Sequence, residues 1–259
     1  MKSPAFYLLE VLFCSGLLLA FYRLLLVRKV SFRACRRYLV AAVFLSAVIP
    51  ALDIPLYPAR TVVYPLPLIA APPAENFVQT TGELPVAVPV VPSGWRRILR
   101  PMAVGGYLTA VFLSLGFLAV RMVGIRRLRR RSRLTDCGAY TLAEHPQIAT
   151  PFSFLRTVFL GGGYEGRRRM IVFCHEAGHV RHRHSAERIA VELVRSLFWF
   201  NPFVWIAGRW LQEVHEWEAD RDVLDAGYDL TEYRTVIFHQ LFGHNPDIAC
   251  LLYTSPRPR

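Results

Sequence analysis

Three long apolar runs constrain this chain more than any other feature, because a hydrocarbon core of ~30 Å is crossed by a helix of about 20 apolar residues. Phe6 to Val27 holds only Glu10 and Arg23 as charges, both toward its ends. Tyr38 to Leu56 is a second run, broken late by Pro50, Asp53 and Pro55, and Met102 to Val120 is a third with no charge. A cleaved leader is disfavoured for the first run, which is preceded by Lys2 alone and followed by arginines rather than a small-residue cleavage site. With 53% hydrophobic residues, the chain is too apolar for an ordinary soluble domain.

Lys/Arg bias sets the expected orientation. Arg28, Lys29, Arg33, Arg36 and Arg37 join the first two runs, and Arg121, Arg126, Arg127, Arg129, Arg130, Arg131 and Arg133 follow the third. Both segments are expected in the cytoplasm, with the N-terminus outside. Between Asp53 and Gly94 lie nine of the 18 prolines, and Arg60, Glu75 and Glu83 are the only further charges, which fits an extended external loop. Arg96, Arg97 and Arg100 oppose this assignment mildly, and Trp95 suits an interface. The net charge of +12 is concentrated beside apolar runs, so it points to membrane lipid rather than nucleic acid. The five cysteines form no CxxC pair, which leaves a disulfide framework unsupported.

Beyond the third run the pattern changes. Tyr140–Leu142, Ile148–Thr150 and Thr157–Leu160 are short β-prone pieces punctuated by Pro146, Pro151 and three consecutive glycines, predicting a small sheet. Arg167 to Arg183 has no proline, and Ile171, Cys174 and Gly178 recur at helical spacing.

On that predicted helix His175 and His179 are four apart, so both rings reach one tetrahedral cation from the same face. Glu176 is placed to act as the proton-transferring carboxylate of a zinc peptidase. Such a short motif is weak alone and needs a third ligand. Glu216 can complete a His2Glu set, and Asp220, four residues on, can hold a ligand histidine through its second ring nitrogen. Between the motifs, Ile189 to Trp210 is apolar enough to suggest another span, which would carry Glu216 to the wrong side. Asn201-Pro202 breaks it centrally, leaving arms of roughly 22–24 Å at 1.5 Å per residue. Equal arms predict a helical hairpin over 185–216, packed in the domain or dipped into the membrane face, that returns Glu216 beside the histidines.

Other features read more plainly. His182 and His184 are expected to be solvated or at the membrane surface, Glu218 to lie on a helix surface, and His215 to be a weaker alternative to Glu216 as ligand, since Asp220 is i+4 from Glu216. Pro151 to Leu160 is either a plain core strand or an edge strand for an extended substrate.

These residues resemble the BlaR/MecR-type membrane metallopeptidases, bacterial antibiotic-sensing signal transducers. The likeness runs from residue 1 to about 245 and is most specific at Pro151-Phe152-Ser153-Phe154, at HEAGHVRHRHS (His175 to Ser185), at WFNPFVW (Trp199 to Trp205) and at HEWEAD (His215 to Asp220). It implies Zn2+ held by His175, His179 and Glu216, catalysis by Glu176, and signalling through cleavage of a repressor or of the receptor itself. Family members that sense β-lactams add a C-terminal penicillin-binding-like domain with an S-x-x-K serine, which this sequence lacks.

The fold expected is a multi-span α-helical membrane protein of the bacterial inner membrane with a cytoplasmic α+β zincin-like metalloprotease domain. Its parts are two transmembrane helices in 1–57, a proline-rich external loop in 58–100, a third transmembrane helix in 101–122 and the peptidase domain in 123–249. The closing 250–259 reads as a non-native tail. Expected partners are a peptide or protein substrate, with a transcriptional repressor as one candidate, membrane lipid, and a second copy of the chain in a homodimer. Direct nucleic-acid binding is not expected. Rival readings are a housekeeping membrane quality-control protease and a non-catalytic signalling or energy-transducing anchor.

Overall fold

The structure, a computed structural model, describes residues 4–27, 29–52 and 93–242. Of the loop expected over 58–100, residues 58–92 lie outside the described residues, as does the tail 250–259, whereas Ser93 to Arg100 are not loop but the first turns of a helix, because nothing after Pro92 breaks it before Pro101. Two compact units are distinguished, 1–51 with 109–259 and 52–108. In the second unit the described structure is the first part of a helix that begins at Ser93.

The apolar runs form helices. α1 spans Pro4–Phe21 and ends in a wider π-turn over Tyr22–Leu26, α2 spans Phe32–Val48, and α3 spans Ser93–Arg131. Ser31 caps α2 by accepting from the Ala34 N–H. All three are long and apolar enough to cross a membrane. Phe13 on α1 and Phe112, Leu113 and Val120 on α3 are each 70–72% exposed, a surface suited to lipid rather than water. The chain is therefore a membrane protein. α3 runs well past the expected limit at 122, because an arginine-rich stretch continues a helix as readily as it flanks a span.

A four-stranded sheet follows, comprising β1 (Arg133–Asp136), β2 (Thr141–Glu144), β3 (Phe152–Phe154) and β4 (Thr157–Leu160) in the order β1-β2-β4-β3. β2 and β4 are parallel and the outer pairings antiparallel. The predicted strand at Ile148–Thr150 is absent. The chain pairs four residues later, after Pro151, and the Ile148 N–H instead turns back on the His145 carbonyl. β1 lies in a stretch for which only an arginine run was read. α4 (Gly166–Arg181), α5 (His184–Leu197), α6 (Pro202–Asp225) and α7 (Leu230–Phe242) complete the described chain.

The expected hairpin is present as α5 and α6. Asn201 caps α6 by accepting from the Phe203 N–H, with Pro202 at the first helical position, where its missing donor costs nothing. Its tip lies against the first membrane helix. Asn201 is fully buried and its Nδ2 donates to Ser15 Oγ at 3.0 Å, while the Phe203 ring packs on Gly16, where any Cβ would come within 3.1 Å of it. Leu19, Tyr22, Leu39 and Val43 of the membrane hairpin and Val191, Val204, Leu211 and Val214 of α5 and α6 share one buried core. A second core, with Leu142, Val158, Ile171, Val223 and Tyr233 among its members, joins the sheet to α4, α6 and α7.

Candidate metal centre

α4 and α6 pack face to face, and Gly178 lets them approach closely, since a Cβ there would lie 3.0 Å from Asp222 Oδ2 and 3.4 Å from Ala219 Cα. On α4, His175 and His179 point their Nε2 atoms at one locus, 3.2 Å apart. α6 adds Glu216, with Oε2 3.4 Å from His175 Nε2 and 3.7 Å from His179 Nε2. These three groups form the one metal-capable cluster found among the described residues. A tetrahedral zinc with bonds of about 2.0–2.1 Å places its ligand atoms about 3.3–3.4 Å apart, so the triangle and its N2O donor set fit such an ion.

The residues behind the ligands are equally defined. His175 Nδ1 stands 2.8 Å from Tyr233 Oη and 3.3 Å from Asp220 Oδ1, and Tyr233 Oη donates to the same carboxylate oxygen at 2.5 Å. Asp220 thus stands behind the His175 ring, on the side away from the triangle. Tyr233 joins it from α7, a helix on which no sequence motif fell.

His182, His184 and Glu218 depart from expectation. His184 is 3% exposed and Glu218 5%, so neither is a solvated surface group. α4 stops at Arg181, and Arg183 adopts a left-handed φ of 59°, at a cost of roughly 1–2 kcal/mol, so that α5 starts at once and folds His184 beneath His179. The two Nδ1 atoms are 2.7 Å apart, and His184 Nε2 meets Glu218 Oε2 at 3.2 Å. His182 turns to Asp222 at 3.0 Å. His215 stacks on His184 with ring centres 4.0 Å apart and donates from Nε2 to Glu187 at 2.9 Å, so Glu216 and not His215 faces the two histidines.

The electrostatics favour a positive charge between the ligands. Burial works against a charged His175, yet Asp220 and Glu216 outweigh it and push its pKa up to about 9. Burial would raise Glu216, but the two histidines hold its carboxyl well below the usual range. Glu176 is 7% exposed, and burial raises its carboxyl despite the opposing pull of His175 and His179. Burial, reinforced by His215, His179 and Arg36, keeps His184 neutral.

The centre lies in a cleft of ≈ 1190 Å³. One wall is apolar, from Leu118, Met122 and Ile125 of α3, and another is β3, the edge strand of the sheet. Glu176 lines the cleft beside the ligands.

The family model described as BlaR1 peptidase M56 matches residues 15–251 of the chain. No curated protein matches it.

Proposed function

The chain belongs to the BlaR1 peptidase M56 family, and on that premise we propose that it is a membrane-anchored zinc endopeptidase of regulatory signal transduction, cleaving a cytoplasmic repressor or itself. The observation that carries this reading is the Nε2, Nε2, Oε2 triangle of His175, His179 and Glu216, with edges of 3.2, 3.4 and 3.7 Å, beside a buried glutamate in a long cleft. When bound there, zinc supplies Lewis acidity that eases ionisation of a water molecule and polarises the scissile carbonyl.

The protein's own groups do the rest. Glu176 receives the proton of the attacking water on its carboxylate and delivers it to the leaving amine nitrogen. Burial strengthens its affinity for that proton, which suits a group that must hold and then release it. Asp220 and Tyr233 fix the tautomer and orientation of the His175 ring. β3 is hydrogen-bonded in the sheet on its β4 side, and an extended substrate segment adds along its other edge, with side chains reaching the apolar α3 wall.

The basic link between the first two spans and the arginine run after the third, on the same side of the membrane, support a peptidase domain in the bacterial cytoplasm and an external N-terminus. Cysteines placed at Arg126 or Arg133 should then be labelled from the cytoplasmic side only, and labelling from outside overturns that orientation. For the activity, the purified chain should hold about one zinc per molecule, lost in His175→Ala combined with Glu216→Ala. Stoichiometric zinc surviving that pair overturns the assignment. Indiscriminate, inducer-independent cleavage of unfolded proteins would instead mark a housekeeping protease.

A further inference from the structure

Two arginines of α2 reach Glu218 in the peptidase half, Arg33 from an exposed position and Arg36 from a buried one. Arg36 is only 11% exposed, its Nη1 donates to Glu218 Oε2 at 2.7 Å and to the main-chain carbonyl of His182 at 3.2 Å, and its Nε faces Glu187 Oε1 at 3.4 Å. These partners sit on α6, on the C-cap of α4 and on α5, the helices that meet around the metal centre. The buried Nε has no hydrogen bond, so the guanidinium is held by ion pairing as much as by donor geometry.

Glu218 Oε2 is shared between Arg36 and His184. Tautomers then follow from the donor inventory. His179 turns Nε2 to the ligand triangle as an acceptor, so its proton is on Nδ1 and is donated to His184 Nδ1, 2.7 Å away. His184 therefore carries its proton on Nε2 and donates it to Glu218 Oε2. A continuous line of Arg36, Glu218, His184 and His179 connects α2 to the back of a ligand.

We infer that Arg36 is a positioning residue, which through Glu218 and His184 holds the His179 ring toward the metal and so couples the position of the membrane hairpin to the metal centre. This rests on reading His175, His179 and Glu216 as metal ligands. Groups behind ligand histidines commonly fix ring orientation. Here the charge that balances the supporting carboxylate comes from a membrane helix. A displacement of α2 along α6 withdraws the guanidinium, and with it that of Arg33, whose Nε faces Glu218 Oε1 at 3.7 Å, so that the buried carboxylate keeps only the imidazoles of His182 and His184 beside it and relaxes by moving, taking His184 with it.

The test uses the full chain in lipid nanodiscs, with zinc affinity measured by chelator competition and the ligand field read from the visible spectrum of the Co2+-loaded protein. Arg36→Gln and Glu218→Gln should each weaken zinc binding about 10–100-fold and change the Co2+ bands. Arg37→Gln, one residue along on the exposed side of α2, should stay within about twofold of wild type. The double variant should be no weaker than the worse single one, because both break the same line. Wild-type affinity and spectrum in Arg36→Gln, or losses that multiply in the double variant, overturn the inference. If Arg36→Gln does not fold, Glu218→Gln reads the line from its other end, and wild-type behaviour there overturns it equally. Absence of zinc from the wild type overturns the ligand assignment itself, a separable result.

Discussion

Tyr233 Oη lies 2.8 Å from His175 Nδ1 and donates to Asp220 Oδ1, so a phenol on α7 bridges the His175 ring on α4 to a carboxylate on α6. Tyr233→Phe should keep the buried ring and the fold but remove the bridge, leaving His175 with Asp220 at 3.3 Å. Zinc affinity should fall about 10-fold, with Asp220→Asn at least as damaging. Chelator competition checks this, and unchanged affinity in Tyr233→Phe would show that Asp220 alone orients the ring.

The contact between Asn201 Nδ2 and Ser15 Oγ ties the tip of the α5–α6 hairpin to the first membrane helix. Asn201→Ala removes both that tie and the cap on α6. It should lower stability by about 1–2 kcal/mol, seen as a lower thermal midpoint in detergent, and Ser15→Ala should cost less because the cap survives. Equal losses in the two variants would contradict a dual role for Asn201.

Asp229 accepts from the backbone N–H groups of Glu232 and Thr231, and these bonds hold its carboxyl below the ordinary 3.8. A depressed carboxylate stabilises the fold fully above its unfolded value, and that contribution is lost as pH falls below 3.8 through the folded value. Amide protection in α7, the helix that carries Tyr233, should therefore hold above the unfolded value and weaken only as the pH falls below 3.8. Asp229→Asn should flatten this dependence, and an identical profile in that variant would remove Asp229 as its source.

What was legible in the sequence was local. Apolar runs of membrane length, the four-residue spacing of His175 and His179, that of Glu216 and Asp220, and the Asn201-Pro202 break each lie within one element or turn, and each is found where its pattern placed it. The misplaced residues depend on long-range geometry. His184 is five residues past His179, off its helical face, and turns inward only because Arg183 takes a left-handed conformation. Glu218 is buried because Arg36, far away in the chain, comes to meet it. Tyr233 reaches the site from a helix beyond Gly227, a position no motif marks. The strand expected at Ile148–Thr150 does not form, while β3 falls within Pro151 to Leu160, also read as strand; both pieces are β-prone, and the choice between them falls to pairing with β4.

The most direct test of the account is Glu176→Gln in the full chain. Glu176 is buried beside the ligand triangle but is not part of it, so the amide should leave about one zinc bound per chain while cleavage falls by about 100-fold or more. Retained cleavage with zinc in place would contradict the role given to this carboxylate, and with it the reading of the cleft as a peptidase active site.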